Sequence, residues 1–319
     1  MQPEIIIGGP MPDSVTAALE AAFTVHKLWQ IEDQDRFFAD AGRRVRGFAA
    51  NTLAGRIDGA LMDKLPALEI IAGFGVGYDS IDAVAAAERG VIVTNTPGVL
   101  DDEVADLAIG LLLATLRQLP QADRFVREGK WPQGAFPLSP TLRGRTVGIL
   151  GLGAIGKAIA RRLDAFGVAV EYHGRSRQAG VAYTYHDTLV GLAKACDVLI
   201  AIVPGTAETR HLIDADVLAA LGREGVLINV ARGSVADEAA LITALQAGTI
   251  LAAGLDVYED EPRVPAALVA MPNVVLLPHI GSASVKTRAA MGQLMVDNLG
   301  GWFADRKPLT PVPEVRHLV

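Results

Sequence analysis

The stretch Thr146-Val147-Gly148-Ile149-Leu150-Gly151-Leu152-Gly153-Ala154-Ile155-Gly156 decides how this chain is read. A short apolar run turns into G-x-G-x-x-G, and a helix-like segment, Lys157 to Phe166, follows it. Glycines at those three places permit a tight turn, close approach of a pyrophosphate to the backbone, and close packing of helix on strand. The helix start then offers N–H groups and positive potential to phosphate oxygens. The motif alone is weak evidence. With a strand before it and a helix after it, it predicts a bound dinucleotide, held around Gly151, Gly153, Ala154, Ile155 and Gly156.

Outward from there, a second apolar run, Val168 to Tyr172, leads into Gly174-Arg175-Ser176-Arg177. At this spot a site selecting NAD carries Asp or Glu for the ribose 2′-hydroxyl. Two guanidinium groups and a hydroxyl suit a 2′-phosphate instead, because planar N–H forks match phosphate oxygens. NADPH is therefore the expected cofactor, in preference to NADH. Away from the glycine motif, Arg-Ser-Arg would read as a solvated loop.

Half of the 319 residues are hydrophobic, enough for two domains with their own cores. Apolar runs at Ile5–Ile7, Ile70–Gly73, Val91–Thr94, Val147–Leu150, Val168–Tyr172, Val198–Ile202, Val226–Asn229 and Val274–Leu277 alternate with helix-length segments. That alternation predicts parallel sheets covered on both faces. Since the glycine motif begins only at Gly151, a separate domain precedes it, ending near Thr96-Pro97-Gly98. Asp101 then caps a long helix that buries Ala105, Ala108, Ile109, Leu112 and Leu116, and Leu119-Pro120 stops it. A last helix-like segment, Lys286 to Phe303, packs back on the first domain. The expected fold class is α/β, with two Rossmann-like doubly wound parallel-sheet domains and a cleft between them. The substrate-binding domain is discontinuous, residues 1–98 plus 286–319, and the NADP-binding domain covers 99–285. Within the latter, residues 120–142 carry Trp131, Phe136 and Leu138 among prolines. These side chains either cover their own domain or form a subunit interface.

A net charge of −7 argues against nucleic acid as a partner. The single cysteine, Cys196, allows no internal disulfide and reads as core packing in a reducing compartment. Glu4-Ile5-Ile6-Ile7-Gly8-Gly9 looks like a first strand and not a signal peptide. Leu107 to Leu116 is too short to span a bilayer, so a cytoplasmic protein with no membrane partner is expected. No Cys/His set has zinc spacing, and G-x-x-x-x-G-K-[ST] is absent, so no metal site or triphosphatase is assigned. His26, His173, His186, His211 and His317 read as loop or surface residues.

Four segments end strands where ligands bind in such sheets: Ile202 to Thr206, Asn229 to Gly233, Asp256 to Pro262, and Leu277 to Ser282. An arginine, an acid and a histidine at neighbouring strand ends can converge. Together with Gly75-Val76-Gly77-Tyr78-Asp79, the glycine motif, Pro204-x-Thr206-x-x-Thr209 and Val230-Ala231-Arg232-Gly233, these segments resemble the D-isomer-specific 2-hydroxyacid dehydrogenase family. They are most similar to its NADPH-dependent glyoxylate/hydroxypyruvate reductase branch. The resemblance runs from about Glu69 to His317 and is specific through its combination and order.

The resemblance implies that His279 is the acid/base toward the substrate oxygen, and that Glu261 fixes its tautomer. Arg232 holds the carboxylate and carbonyl of a small 2-oxo acid. The N–H groups of Val76 and Gly77 meet the carboxylate, and Asp256 orients the nicotinamide amide. Val203, Pro204, Thr209, Val230, Ala231 and Gly281 line the cofactor, while Leu53 and Ser282 shape the substrate pocket. Trp131 resembles a tryptophan that reaches the neighbouring subunit's site, so a homodimer is expected. A bulkier acid such as hydroxyphenylpyruvate is the nearest alternative, and a cofactor-sensing corepressor-like protein is a distant one.

Overall fold

The computed structural model describes residues 2–51 and 54–319. They divide into one unit of Met1–Leu100 with Ser284–Val319 and a second of Asp101–Ala283. The sequence reading placed both junctions two residues away, at 98/99 and 285/286. A helix that begins at Asp101 puts the first junction after Leu100.

In the first unit five strands, β1 (Glu4–Ile7), β2 (Thr24–Lys27), β3 (Val45–Ala50), β4 (Ile70–Gly73) and β5 (Ile92–Thr94), form a parallel sheet ordered β2-β1-β3-β4-β5. Ile5, Ile6 and Ile7 are wholly buried, as expected of an inner parallel strand covered on both faces. Gly47 of β3 leaves room for its neighbours: a Cβ there would lie 2.9 Å from Ile5 Cγ2 and 3.3 Å from the Phe303 ring. The Val285–Asp305 helix returns to this unit and buries Met295, Leu299 and Trp302 in its core. Glu69, just before β4, ties that helix down. It accepts from Arg46 Nε at 2.6 Å, from Trp302 Nε1 at 3.0 Å and from Arg306. Burial pushes its pKa up, but these three donors outweigh burial and hold it below the ordinary carboxylate range.

The second unit holds β6 (Thr146–Leu150), β7 (Ala169–His173), β8 (Thr184–Tyr185), β9 (Val198–Ala201), β10 (Val226–Asn229), β11 (Ala252–Leu255) and β12 (Val274–Leu276). All seven are parallel, in the order β12-β11-β10-β9-β6-β7-β8. Strand order reverses between β6 and β9, which opens a crevice at their carboxyl ends, where open α/β sheets take their ligands. The Asp101–Arg117 helix packs its Leu111 and Leu112 into this core. Cys196 is buried under Leu192, and burial pushes its thiol up to about 12.

The long helix ends at Arg117, just before Leu119-Pro120 as expected, but the chain re-enters a helix at once. Gln118 turns left-handed, at φ 53°, and a new helix runs from Leu119 to Arg127. Pro120 sits in its first turn, where no backbone N–H is needed. No helix among the described residues is long and apolar enough to cross a membrane.

Replacing Glu69 by Gln is expected to lower the stability of the first unit by about 1–2 kcal/mol at neutral pH. Because the folded pKa is depressed, this stabilisation is present above the ordinary carboxylate pKa and lost as pH falls through the folded value. The gap in thermal midpoint between wild type and variant should therefore close on acidification. A gap that is absent at pH 7, or that widens in acid, contradicts the assignment.

Candidate active site

Gly151 follows β6 with φ 102°, and a Cβ there would lie 2.8 Å from both Ile202 O and Val203 Cγ1. At Gly156 a Cβ would stand 2.1 Å from Gly151 O, so the helix can approach the strand only without one. Gly153 faces open space and begins the Ala154–Ala165 helix with no side-chain cap. The N–H groups of Ala154, Ile155 and Gly156 donate to nothing among the described residues. This is a bare, positively polarised helix start with room before it, and it fits a pyrophosphate. Gln178 steadies the turn: its Nε2 donates to Leu152 O at 2.7 Å, and its backbone N–H to the Tyr172 hydroxyl at 2.8 Å. Arg175, Ser176 and Arg177 follow β7, all exposed, and no carboxylate of the described residues engages either arginine.

At the carboxyl end of β9, the Thr209 hydroxyl donates to Pro204 O at 2.6 Å and accepts from Thr206 N at 2.8 Å, closing the turn that carries Val203 and Pro204. Beyond β10, Val230 and Ala231 are buried. Asn229 braces the next turn, accepting from Ala231 N at 3.1 Å and donating to Arg232 O at 3.0 Å. The stem of Arg232 lies against Gly205, where a Cβ would meet its Cγ at 2.7 Å. Gly233 approaches the Tyr258–Glu259 peptide so closely that a Cβ would fall 1.8 Å from Tyr258 C and 2.0 Å from its oxygen. That contact locks the Arg232 turn to the turn that carries Glu261.

His279 follows β12 with φ 54°, a left-handed conformation that costs a residue with a side chain of order 1–3 kcal/mol. Asp256, 2% exposed at the end of β11, holds it there. Its carbonyl accepts from His279 N at 2.8 Å, and its carboxylate oxygens accept from Ile280 N and Gly281 N at 2.8 Å each. The His279 ring meets Glu261 through Nδ1, at 2.6 Å from Oε2. Glu261 accepts a second bond from Tyr258 N at 3.1 Å. Burial raises its pKa, but the bond and charge of His279, the Tyr258 N–H and the charge of Arg232 hold it below the ordinary range. Nδ1 is thus committed to a carboxylate, and Nε2 is left as the ring's working atom.

In the first unit Val76 and Gly77 lie half-buried in the loop after β4. Ser282 is half-buried just beyond Gly281, and Trp131 is 67% exposed in a 3-10 turn. Leu53 lies outside the described residues.

The profile of the D-isomer specific 2-hydroxyacid dehydrogenase NAD binding domain matches residues 109–281. The chain belongs to this family. Glyoxylate/hydroxypyruvate reductase A of Arabidopsis thaliana is 46% identical over 303 residues, 95% of this chain and 96% of that one. Hydroxyphenylpyruvate reductase of Plectranthus scutellarioides is 45% identical at the same coverage. A crystal structure of the NADPH-dependent glyoxylate/hydroxypyruvate reductase of Sinorhizobium meliloti with NADP and malonate superposes with TM-score 0.92 at 55% identity, covering 99% of this chain and 98% of that one. This dehydrogenase therefore carries an NAD(P)-binding domain on its second unit.

The sequence reading did not single out Gln178 and gave His211 no part in the site. Asp256 carries a structural load, on the loop of His279, beyond the cofactor contact that the family implies. His211, read as surface, has φ 52°, contacts Glu259 at 2.5 Å through Nε2, and donates its backbone N–H to Ser234 O at 2.8 Å. It thereby joins the turn after β9 to the one that carries Glu261. No local spacing signals a pair separated by 48 residues.

Gly233→Ala is expected to force the Arg232 and Glu261 turns apart and to cut kcat/KM by about 10²-fold or more, because small displacements of catalytic groups cost that much. Circular dichroism and initial rates together check this. A well-folded variant of unchanged rate would show the close approach to be irrelevant to catalysis.

Proposed function

We propose that this dehydrogenase reduces small 2-oxo acids such as glyoxylate and hydroxypyruvate to D-2-hydroxy acids, with NADPH preferred over NADH. The observation that carries the reading is the pair Arg175 and Arg177, exposed and without acid partners among the described residues at the end of β7, next to the bare helix start at Gly153. Their forks suit the 2′-phosphate, the N–H groups of residues 154–156 the pyrophosphate, and Val203, Pro204, Thr209, Val230, Ala231 and Gly281 the rest of the cofactor. When bound, the dinucleotide supplies a hydride. His279 Nε2 gives a proton to the carbonyl oxygen, with Glu261 stabilising the charged ring before transfer. Arg232 binds the carboxylate and polarises the carbonyl as negative charge gathers on it. The N–H groups of Val76 and Gly77, in the first unit, are those the family resemblance assigns to the carboxylate.

Rates of NADPH and NADH oxidation with each acid test this. Wild type should favour NADPH. Exchange of both Arg175 and Arg177 for Ala should weaken NADPH by roughly tenfold or more and spare NADH, from loss of charge-assisted bonds. Equal losses for both cofactors, or no oxidation with any 2-oxo acid, overturn the reading. The 45% identity to a hydroxyphenylpyruvate reductase favours that bulkier acid as the second reading, and a substrate panel separates the two.

Residues 120–142 fit a dimer arm. Leu138 is fully exposed and Trp131 and Val126 are each more than half exposed, while Leu142 is buried and Phe136 is covered edge-on by Phe125 at 5.4 Å. We take the occupant of this face to be a second copy of the chain, with Trp131 directed at the neighbour's substrate. Wild type should sediment as a dimer and Leu138→Asp as a monomer. A monomeric wild type ends this assignment.

A further inference from the structure

We propose that Asn95 is a positioning residue for the substrate carboxylate, and that the chain after the last long helix, through Thr310, sets its aim. The proposal rests on the reading above, in which the N–H groups of Val76 and Gly77 receive that carboxylate.

A trans peptide is planar, so the carbonyl of one residue and the N–H of the next point in opposite directions. Fixing the carbonyl fixes the N–H. Thr96 N donates to Gly75 O at 2.8 Å, which aims the N–H of Val76 the other way. Asn95 Nδ2 donates to Val76 O at 2.8 Å, which aims the N–H of Gly77 the same way. Neither N–H donates to any described residue. Two successive N–H groups with their carbonyls tied behind them form a small anion-binding concavity.

Asn95 is itself held from behind. The Thr310 hydroxyl donates to Asn95 O at 2.6 Å and accepts from Asn298 Nδ2 at 2.8 Å. Asn298 is wholly buried on the Val285–Asp305 helix, and its Oδ1 accepts from Leu309 N and Thr310 N, each at 2.9 Å. The relay runs from a buried helix amide, through one hydroxyl, to the backbone carbonyl of Asn95, whose side chain in turn ties the Val76 carbonyl that orients Gly77. Tyr78 closes the far side of the loop, its hydroxyl on the Glu314 carboxylate at 3.2 Å. Of the two bonds that aim the N–H groups, only that of Asn95 comes from a side chain, so mutation can remove it alone.

Steady-state kinetics of NADPH-dependent glyoxylate reduction, with oxamate as an unreactive competitor, test the relay. Asn95→Ala should raise the KM for glyoxylate and the inhibition constant for oxamate together by roughly tenfold, the worth of a hydrogen bond to a charged group. kcat and the dissociation constant of NADPH should stay within about twofold, as loss of uniform substrate binding requires. Thr310→Val should shift both constants in the same direction and Thr310→Ser should restore them. A loss of kcat at unchanged KM, unchanged oxamate affinity, or a Thr310→Ser that behaves like Thr310→Val overturns the proposal. Failure of the functional reading has a different signature, a wild type that reduces no 2-oxo acid. Oxamate binding to the NADPH-loaded protein, followed by cofactor fluorescence, then still judges Asn95.

Discussion

At the end of β11 the Asp256 carboxylate is almost wholly removed from water and spends both oxygens on the backbone N–H groups of Ile280 and Gly281. Burial raises its pKa, and the two N–H bonds and the nearby His279 work against that rise. A buried acid is costly unless it is bonded in this way. What it secures is the left-handed turn at His279, which no apolar side chain could hold by packing alone. The direction of the imidazole, its bond to Glu261 and the freedom of Nε2 all follow from that turn. The second constraint is steric: the Gly233 backbone lies flat on the Tyr258–Glu259 peptide, so the arginine turn and the glutamate turn form one rigid body.

The two units apply one physical device in different ways. In the second unit, N–H groups at a helix start are left bare because Gly153 offers no cap. In the first, N–H groups of a loop are left bare because their carbonyls are tied behind them. Both leave positive potential facing outward without any charged side chain, which suits a chain of net charge −7 that takes anionic ligands.

Long apolar runs made the inner strands readable: Ile5–Ile7 and Val226–Asn229 are β1 and β10 because they are buried on both faces. The strands that escaped have physical reasons for it. β2, Thr-Val-His-Lys, is a half-exposed edge, and β3 is broken by Arg46 and Gly47. β11, Ala-Ala-Gly-Leu, was marked only by the Asp256 segment that follows it, for it lacks β-branched residues, and a Cβ at Gly254 would strike Thr115 Oγ1 at 2.4 Å on the helix that covers it. At the site, the glycine turn and the His279–Glu261 pair were legible because residue type and order carry their chemistry. The bracing by Asp256, Gln178, His211 and Asn95 was not, since it depends on which backbone groups the fold leaves in need of a partner.

The lone thiol has a quieter consequence. Cys196 is covered on the Leu192 side of the sheet, and burial keeps it protonated far above neutral pH. Only a thiolate with access to solvent reacts with alkylating agents or peroxide. Its thiol therefore offers no reactive handle while the fold is intact, and any covalent mark found on that thiol records a molecule whose nucleotide-side sheet had come open.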